Sequence, residues 1–189
     1  MGGRNDATTA GRGLALFDAG TMVFCGWAKV KDGDVAAGIS LLRTGLPAYR
    51  ATGTEMFISH FIALLAAAHE IAGNVKEALA LVDDALQLIE KTGERWFAAE
   101  LNRHKGWLLL REGQAEAAEE LYRKALSIAR EQEAKLWELR AAVSLTQLSR
   151  DQGRRAEARD LLAPVYGWFT EGFGTPDLKG ARALLDELA

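Results

Sequence analysis

Apolar positions along this chain return every three or four residues, and the runs they form are broken at a regular interval. The stretch "LYRKALSIA" shows the local pattern: Leu121, Ala125, Leu126 and Ile128–Ala129 fall on one face at helical spacing. The breaks come at Gly33, Gly73, Gly113 and Gly153, 40 residues apart each time. Other positions keep the same period. Leu41, Leu81, Leu121 and Leu161 share a register, as do the aromatics Phe17, Phe57, Phe97 and Trp137. Small residues recur at Gly26, Ala66, Gly106 and Thr146, and again at Gly38, Ala78, Ala118 and Ala158. A glycine between two helical runs suits the left-handed residue that ends the first of them. Asp34 and Asn74 follow it as N-caps, and Asn74 with Glu77 has the spacing of a capping box.

The period predicts an all-α, right-handed solenoid of four antiparallel helical hairpins, with units near 15–54, 55–94, 95–134 and 135–174. The small residues mark where paired helices cross closely, so Ala78 and Ala118 should be buried, with Leu81, Leu121 and Leu161 beside them. Thr175, Pro176 and Asp177 open a capping helix over 176–188, whose stripe of Leu178, Ala181, Leu184, Leu185 and Leu188 should pack on Leu161, Val165 and Phe169. Residues 1–13 are polar and glycine-rich and read as a flexible leader to a repeat domain over 14–189. Nothing at that end matches the C-terminal cap. The first hairpin, with Leu16, Phe17, Met22, Phe24 and Cys25, should therefore fray or self-associate, and Pro47 should kink its second helix.

Helical pairs with small residues at two positions and a bulky one between them resemble tetratricopeptide repeats. The matching positions are Ala66 and Gly106 in first helices, and Ala78, Ala85, Ala118 and Ala125 in second helices. Units of 40 residues exceed that family's usual 34, which implies helices longer by about a turn. A more specific resemblance covers "ERWFAAELNRHKGWLLL" and the segment from Ala134 to Leu188. These are similar to the terminal repeats of bacterial proteins that also carry a cyclase-like domain and an ATPase domain. The present sequence contains neither catalytic domain, so the resemblance implies a scaffolding or regulatory segment.

Composition narrows the chemistry. A net charge of -3 argues against a general nucleic-acid or anionic-membrane binder. The longest apolar run, Phe61 to Ala68, is too short to span a bilayer. Cys25 is the only cysteine, which excludes an intrachain disulfide and fits a cytoplasmic protein. His60, His69 and His104 have no metal-ligand spacing, there is no phosphate loop, and no nucleophile has a histidine and an acid beside it. The expectation is no enzyme, no cofactor and no metal.

The resemblance to tetratricopeptide repeats implies that the first helices line a concave groove. Its register assigns Val23 and Trp27 to the groove in the first unit, and His60, Ala63, Ala67 and Glu70 in the second. The third supplies Glu100, Arg103, Trp107 and Arg111; the fourth supplies Arg140, Val143, Gln147 and Arg150. Trp and Arg are enriched at binding hot spots. The sequence thus points to a non-catalytic module that binds a protein or peptide segment, with arginines suited to acidic side chains. The alternative is a regulatory domain that senses a small molecule in a closed pocket.

Overall fold

The computed structural model describes residues 4–189, with side chains from Gly13 onward. Among the described residues all regular structure is helical, in nine helices. They fall into two compact units. The first, Met1–Glu94, holds α1 (Arg4–Lys31), α2 (Val35–Ala51), α3 (Ile58–Ile71) and α4 (Val75–Thr92). The second, Arg95–Ala189, holds α5 (Ala98–Arg111), α6 (Ala115–Glu131), α7 (Lys135–Asp151), α8 (Arg155–Gly167) and α9 (Pro176–Glu187). In the first unit α1 pairs with α2 and α3 with α4. In the second α5 pairs with α6 and α7 with α8, and α9 covers α7 and α8.

Each expected corner is where its glycine places it. Gly33, Gly73, Gly113 and Gly153 have φ between 78° and 94°. At each, the residue after the glycine donates its N–H to the carbonyl five residues back, as in Gln114 to Leu109 at 3.0 Å. The glycine donates to the carbonyl three back, as in Gly113 to Leu110 at 3.0 Å. This double closure satisfies the last carbonyls of the first helix. The same closure joins the third hairpin to the fourth, where Ala134 donates to Ala129 and Glu133 takes the left-handed position at φ 53°. The caps are less uniform. Asp34 accepts from the N–H of Ala37, whereas Asn74 is the N-cap residue but its side chain makes no capping bond, so no capping box forms with Glu77.

Packing follows a stripe through the small residues. In the second helices, Gly38–Leu42–Gly45–Tyr49, Ala78–Val82–Ala85–Ile89 and Ala118–Tyr122–Ala125–Ala129 are all buried, as are Ala158, Leu162 and Val165. Leu81, Leu121 and Leu161 are only half-buried. The expectation that they fill the crossing is therefore corrected by one residue. Four residues on from the small position lies nearer the centre of the buried face than three residues on, since 3.6 residues make a turn.

The glycines of the first hairpin bring its backbones close. A Cβ at Gly38 would lie 2.7 Å from the Gly26 carbonyl oxygen and 2.9 Å from the Val30 nitrogen. Pro47 lies inside α2, which continues through it to Ala51. Helix α1 begins at Arg4, so residues 4–13, expected as a leader, belong to it; residues 1–3 lie outside the described residues.

Helix α9 buries Leu178, Ala181, Leu184 and Leu188 against a core with Leu139, Leu162 and Val165, and Leu161, Phe169 and Leu185 are partly buried around it. Burying each of the three leucines contributes about 1.5–3 kcal/mol. The fold is an α-solenoid type built from short hairpins.

Candidate functional site

The candidate surface comes from residues on the first helices that hairpin packing does not use. In α5, Gly106 faces α6, with the Tyr122 ring against it. Trp107, about 100° further round the helix, is therefore turned outward and is 41% exposed. The equivalent Gln147 on α7 is also exposed, whereas Trp27 on α1 and Ala67 on α3 are half-buried.

In the first unit, Trp27 carries the Lys31 ammonium 5.6 Å from its ring centroid. His60 and Glu70 are half-buried on α3. Burial lowers the pKa of His60, which favours the neutral imidazole. Two further expected groove residues are not on the surface. Val23 is fully buried against Gly45, whose missing side chain leaves room for it, and Ala63 is buried too.

The second unit gathers the charged residues. On α5, Arg103 binds Glu100 through both Nε and Nη2, at 2.8 and 2.6 Å. On α7, Arg140 donates from Nε and Nη2 to the two carboxylate oxygens of Asp177 on α9, at 2.7 and 2.9 Å. Its Nη1 is 4.0 Å from Glu100, outside hydrogen-bond range. Arg140 thus ties α7 to α9, and its guanidinium carbon lies 5.1 Å from the Trp137 ring centroid. The hydrogen bonds from Arg140 hold the Asp177 carboxyl below its ordinary pKa, against the opposing effect of burial. Arg150 donates to Asp151 at 2.9 Å and to Glu187 of α9 at 2.6 Å. Arg111 is exposed at the end of α5.

The structure therefore brings Glu100, Arg103 and Arg140 together and supplies two acids that sequence reasoning did not place there. Asp177 reads in sequence as a helix-dipole residue, and Glu187 carries no sequence signal of its own. A common separation was the available sign: Arg140 to Asp177 and Arg150 to Glu187 are both 37 residues. The dense basic stretch from Arg150 to Arg159 is extensively paired. Arg154 binds Glu119, Glu157 and Gln152, and Arg155 reaches the carbonyl of Glu187. Among the described residues, no group of three or more His, Cys, Asp or Glu is arranged to hold a metal ion. No helix among them is long and apolar enough to cross a membrane.

Comparison with known proteins bears on the fold that carries this surface. Residues 59–131, from α3 through the end of α6, match the tetratricopeptide repeat family. An uncharacterized protein of Rhizobium meliloti (strain 1021) is 29% identical over 135 residues, 71% of this chain. The chain spans only 13% of that relative's length. Among solved structures, the tetratricopeptide-like repeats of a kinesin light chain from Podosopora anserina superpose with a TM-score of 0.69 at 19% identity, covering 89% of this chain and 83% of that one. BtubC (BKLC) from P. vanneervenii gives 0.68 at 16%, covering 95% and 87%. A signal transduction ATPase with numerous domains from Pyrococcus horikoshii, which has a tetratricopeptide repeat sensor, gives 0.74 at 16%, covering 92% of this chain and 27% of that one. At these identities the structural likenesses show the fold.

Proposed function

We propose that this stack of tetratricopeptide-type hairpins is a non-catalytic interaction module that binds a peptide or protein segment on the outward faces of its first helices. Tetratricopeptide repeats generally mediate protein interactions and scaffolding, and the family match spans the middle of the chain. The observation that carries the reading is on α5 and α7. Trp107 is exposed, and Arg140 is oriented by Asp177 with its Nη1 edge outside hydrogen-bond range of Glu100. A tryptophan supplies apolar contact area, and a guanidinium already fixed in place loses little entropy when a carboxylate arrives.

Acidic segments suit this surface of the second unit, with Arg103, Arg111, Gln147 and Arg150 shaping its margins; in the first unit Trp27, His60 and Glu70 are the corresponding candidate contacts. A cytoplasmic bacterial signalling protein is the setting we assign, following the resemblance of the C-terminal half to the repeats of cyclase–ATPase proteins. The Pyrococcus horikoshii protein, whose repeats are described as a sensor, lends support to a second reading as a ligand-sensing regulatory segment.

Anisotropy of a fluorescein-labelled hexaglutamate peptide tests the first reading. Trp107→Ala and Arg140→Ala should each weaken binding about tenfold, and added salt should weaken it further. Asp177→Asn, which removes the carboxylate that fixes Arg140 in place, should weaken it as well. Binding indifferent to all three substitutions would remove the surface from consideration.

A further inference from the structure

Helix α1 exposes an apolar seam. Leu14 is 66% exposed, Phe17 74% and Phe24 56%, and Thr21, Cys25 and Ala28 are exposed with them. Leu14, Phe17, Thr21, Phe24 and Ala28 are spaced three, four, three and four residues apart, the spacing of a seam between two helices. The opposite side of α1 is occupied, since Ala19, Val23, Gly26 and Val30 are buried.

The 40-residue register identifies what such a face does elsewhere in the chain. The counterparts of Thr21 are Phe61 on α3, Ala141 on α7 and Ala181 on α9; those of Ala28 are Ala68, Leu148 and Leu188. All six are buried, on helices that pack against the preceding hairpin. The α1 seam therefore continues, in register, an interface the chain forms repeatedly, and no helix among the described residues covers it.

The other end of the chain does not offer that helix. The residues that face a hairpin's own second helix are Ile62 and Ala66 on α3, and Ala142 and Thr146 on α7, all buried. At the same positions α9 has Arg182 and Asp186, both exposed and ion-paired at 3.0 Å. An end closed by charge cannot receive an apolar helix from another copy, which excludes head-to-tail growth of the stack through this face.

We infer that the α1 seam is an isologous interface with a second copy of this chain, the two α1 helices running antiparallel about an axis near Thr21. In that arrangement Leu14 lies opposite the small Ala28 and Phe17 opposite Phe24. Asp18 falls opposite Cys25, so no like charges meet. A face that pairs with itself closes after two copies. None of Leu14, Phe17, Thr21, Phe24 and Ala28 is assigned to the peptide-binding surface, so either proposal can fail alone.

Multi-angle light scattering on the full chain tests this over a dilution series. The expected mass is twice the 20.5 kDa of one chain. Phe17→Glu should halve it with the helical circular dichroism unchanged, because Phe17 is mostly exposed. In a Cys25→Ser background, Thr21→Cys should form a disulfide-linked dimer on mild oxidation. A monomer at every concentration, a dimer that survives Phe17→Glu, growth beyond two copies, or no cross-link through residue 21 would each overturn the proposal. A monomer would leave the seam to a preceding helical hairpin or a different protein.

Discussion

A methyl group added at Gly38 meets backbone atoms of the facing helix below 3 Å, whereas one added at Gly106 meets the Tyr122 ring at 2.7 Å and backbone only at 3.1 Å. A ring can tilt and a packed backbone cannot. Gly106→Ala should therefore cost about 1–3 kcal/mol by overpacking, and Gly38→Ala more, despite alanine's better helix propensity. Urea unfolding of the two variants orders them directly. Glu133 is the converse case. It holds the left-handed corner that glycine occupies at Gly93 and Gly53, one and two periods earlier. Glu133→Gly should raise stability by about 1 kcal/mol, read as a higher urea midpoint. The sequence shows the corner glycines because few other residues suit a positive φ, and it conceals the Glu133 corner because its residue type breaks the series. The deepest core position is concealed differently. Leucine repeats at 41, 81, 121 and 161 and draws attention, while the buried position beside it varies as Leu42, Val82, Tyr122 and Leu162.

Helix α9 is held by apolar burial and by a polar clasp from α7. The folded-state pKa of Asp177 is lowered, chiefly by its hydrogen bonds to Arg140. Its contribution to stability is therefore fully present above the ordinary value of 3.8 and is lost as pH falls through the lowered one. Arg140→Ala should cost about 1–2 kcal/mol at neutral pH, solvent screening included, and should flatten the acid limb of a stability profile. His69 on α3 gives a second pH effect. Arg43 lies with Nη2 3.3 Å from its Nε2, and since arginine only donates, the ring's proton is on Nδ1. Burial, with the Arg43 charge adding to it and Glu77 opposing, lowers this pKa from 6.5. The unfolded chain binds a proton that the folded ring resists, so stability should decline as pH drops below 6.5. His69→Gln should reduce that slope, and the part that remains belongs to His60, whose pKa burial also lowers. The exposed positions of Trp107 and Gln147 were legible at this scale, because helical phase turns each about 100° from the buried small residue before it. Asp177 and Glu187 were not, since their role depends on how α9 docks and no local pattern encodes that.

For the whole chain, the 40-residue period conveyed the number of hairpins, their corners and the cap. It did not convey that α1 begins at Arg4, because glycine, threonine and aspartate near the start weaken every helical signal there. Nor did it convey the division of the chain at Glu94 and Arg95 into two compact units. A chain ending at Gly174 would lose α9 and uncover Leu162 and Val165, which pack against it. The burial lost amounts to several kcal/mol, a large part of the roughly 5–15 kcal/mol that stabilises a typical domain. The truncated chain should melt at a lower temperature by circular dichroism, with protease cuts appearing first in α7 and α8.

The closure at Glu133 has the same hydrogen-bond pattern as the closure at Gly113, although one joins two hairpins and the other turns within one. At Glu133, unlike the longer joints between α2 and α3 and between α4 and α5, the backbone turns as it does within a hairpin. A tandem duplication of residues 95–134 would therefore keep every downstream face in phase. An insertion one residue shorter or longer inside a helix would rotate those faces by about 100° and present core to water. Length in this architecture is quantised: viable descendants of such a gene differ by whole hairpins, and small insertions survive only at the corners.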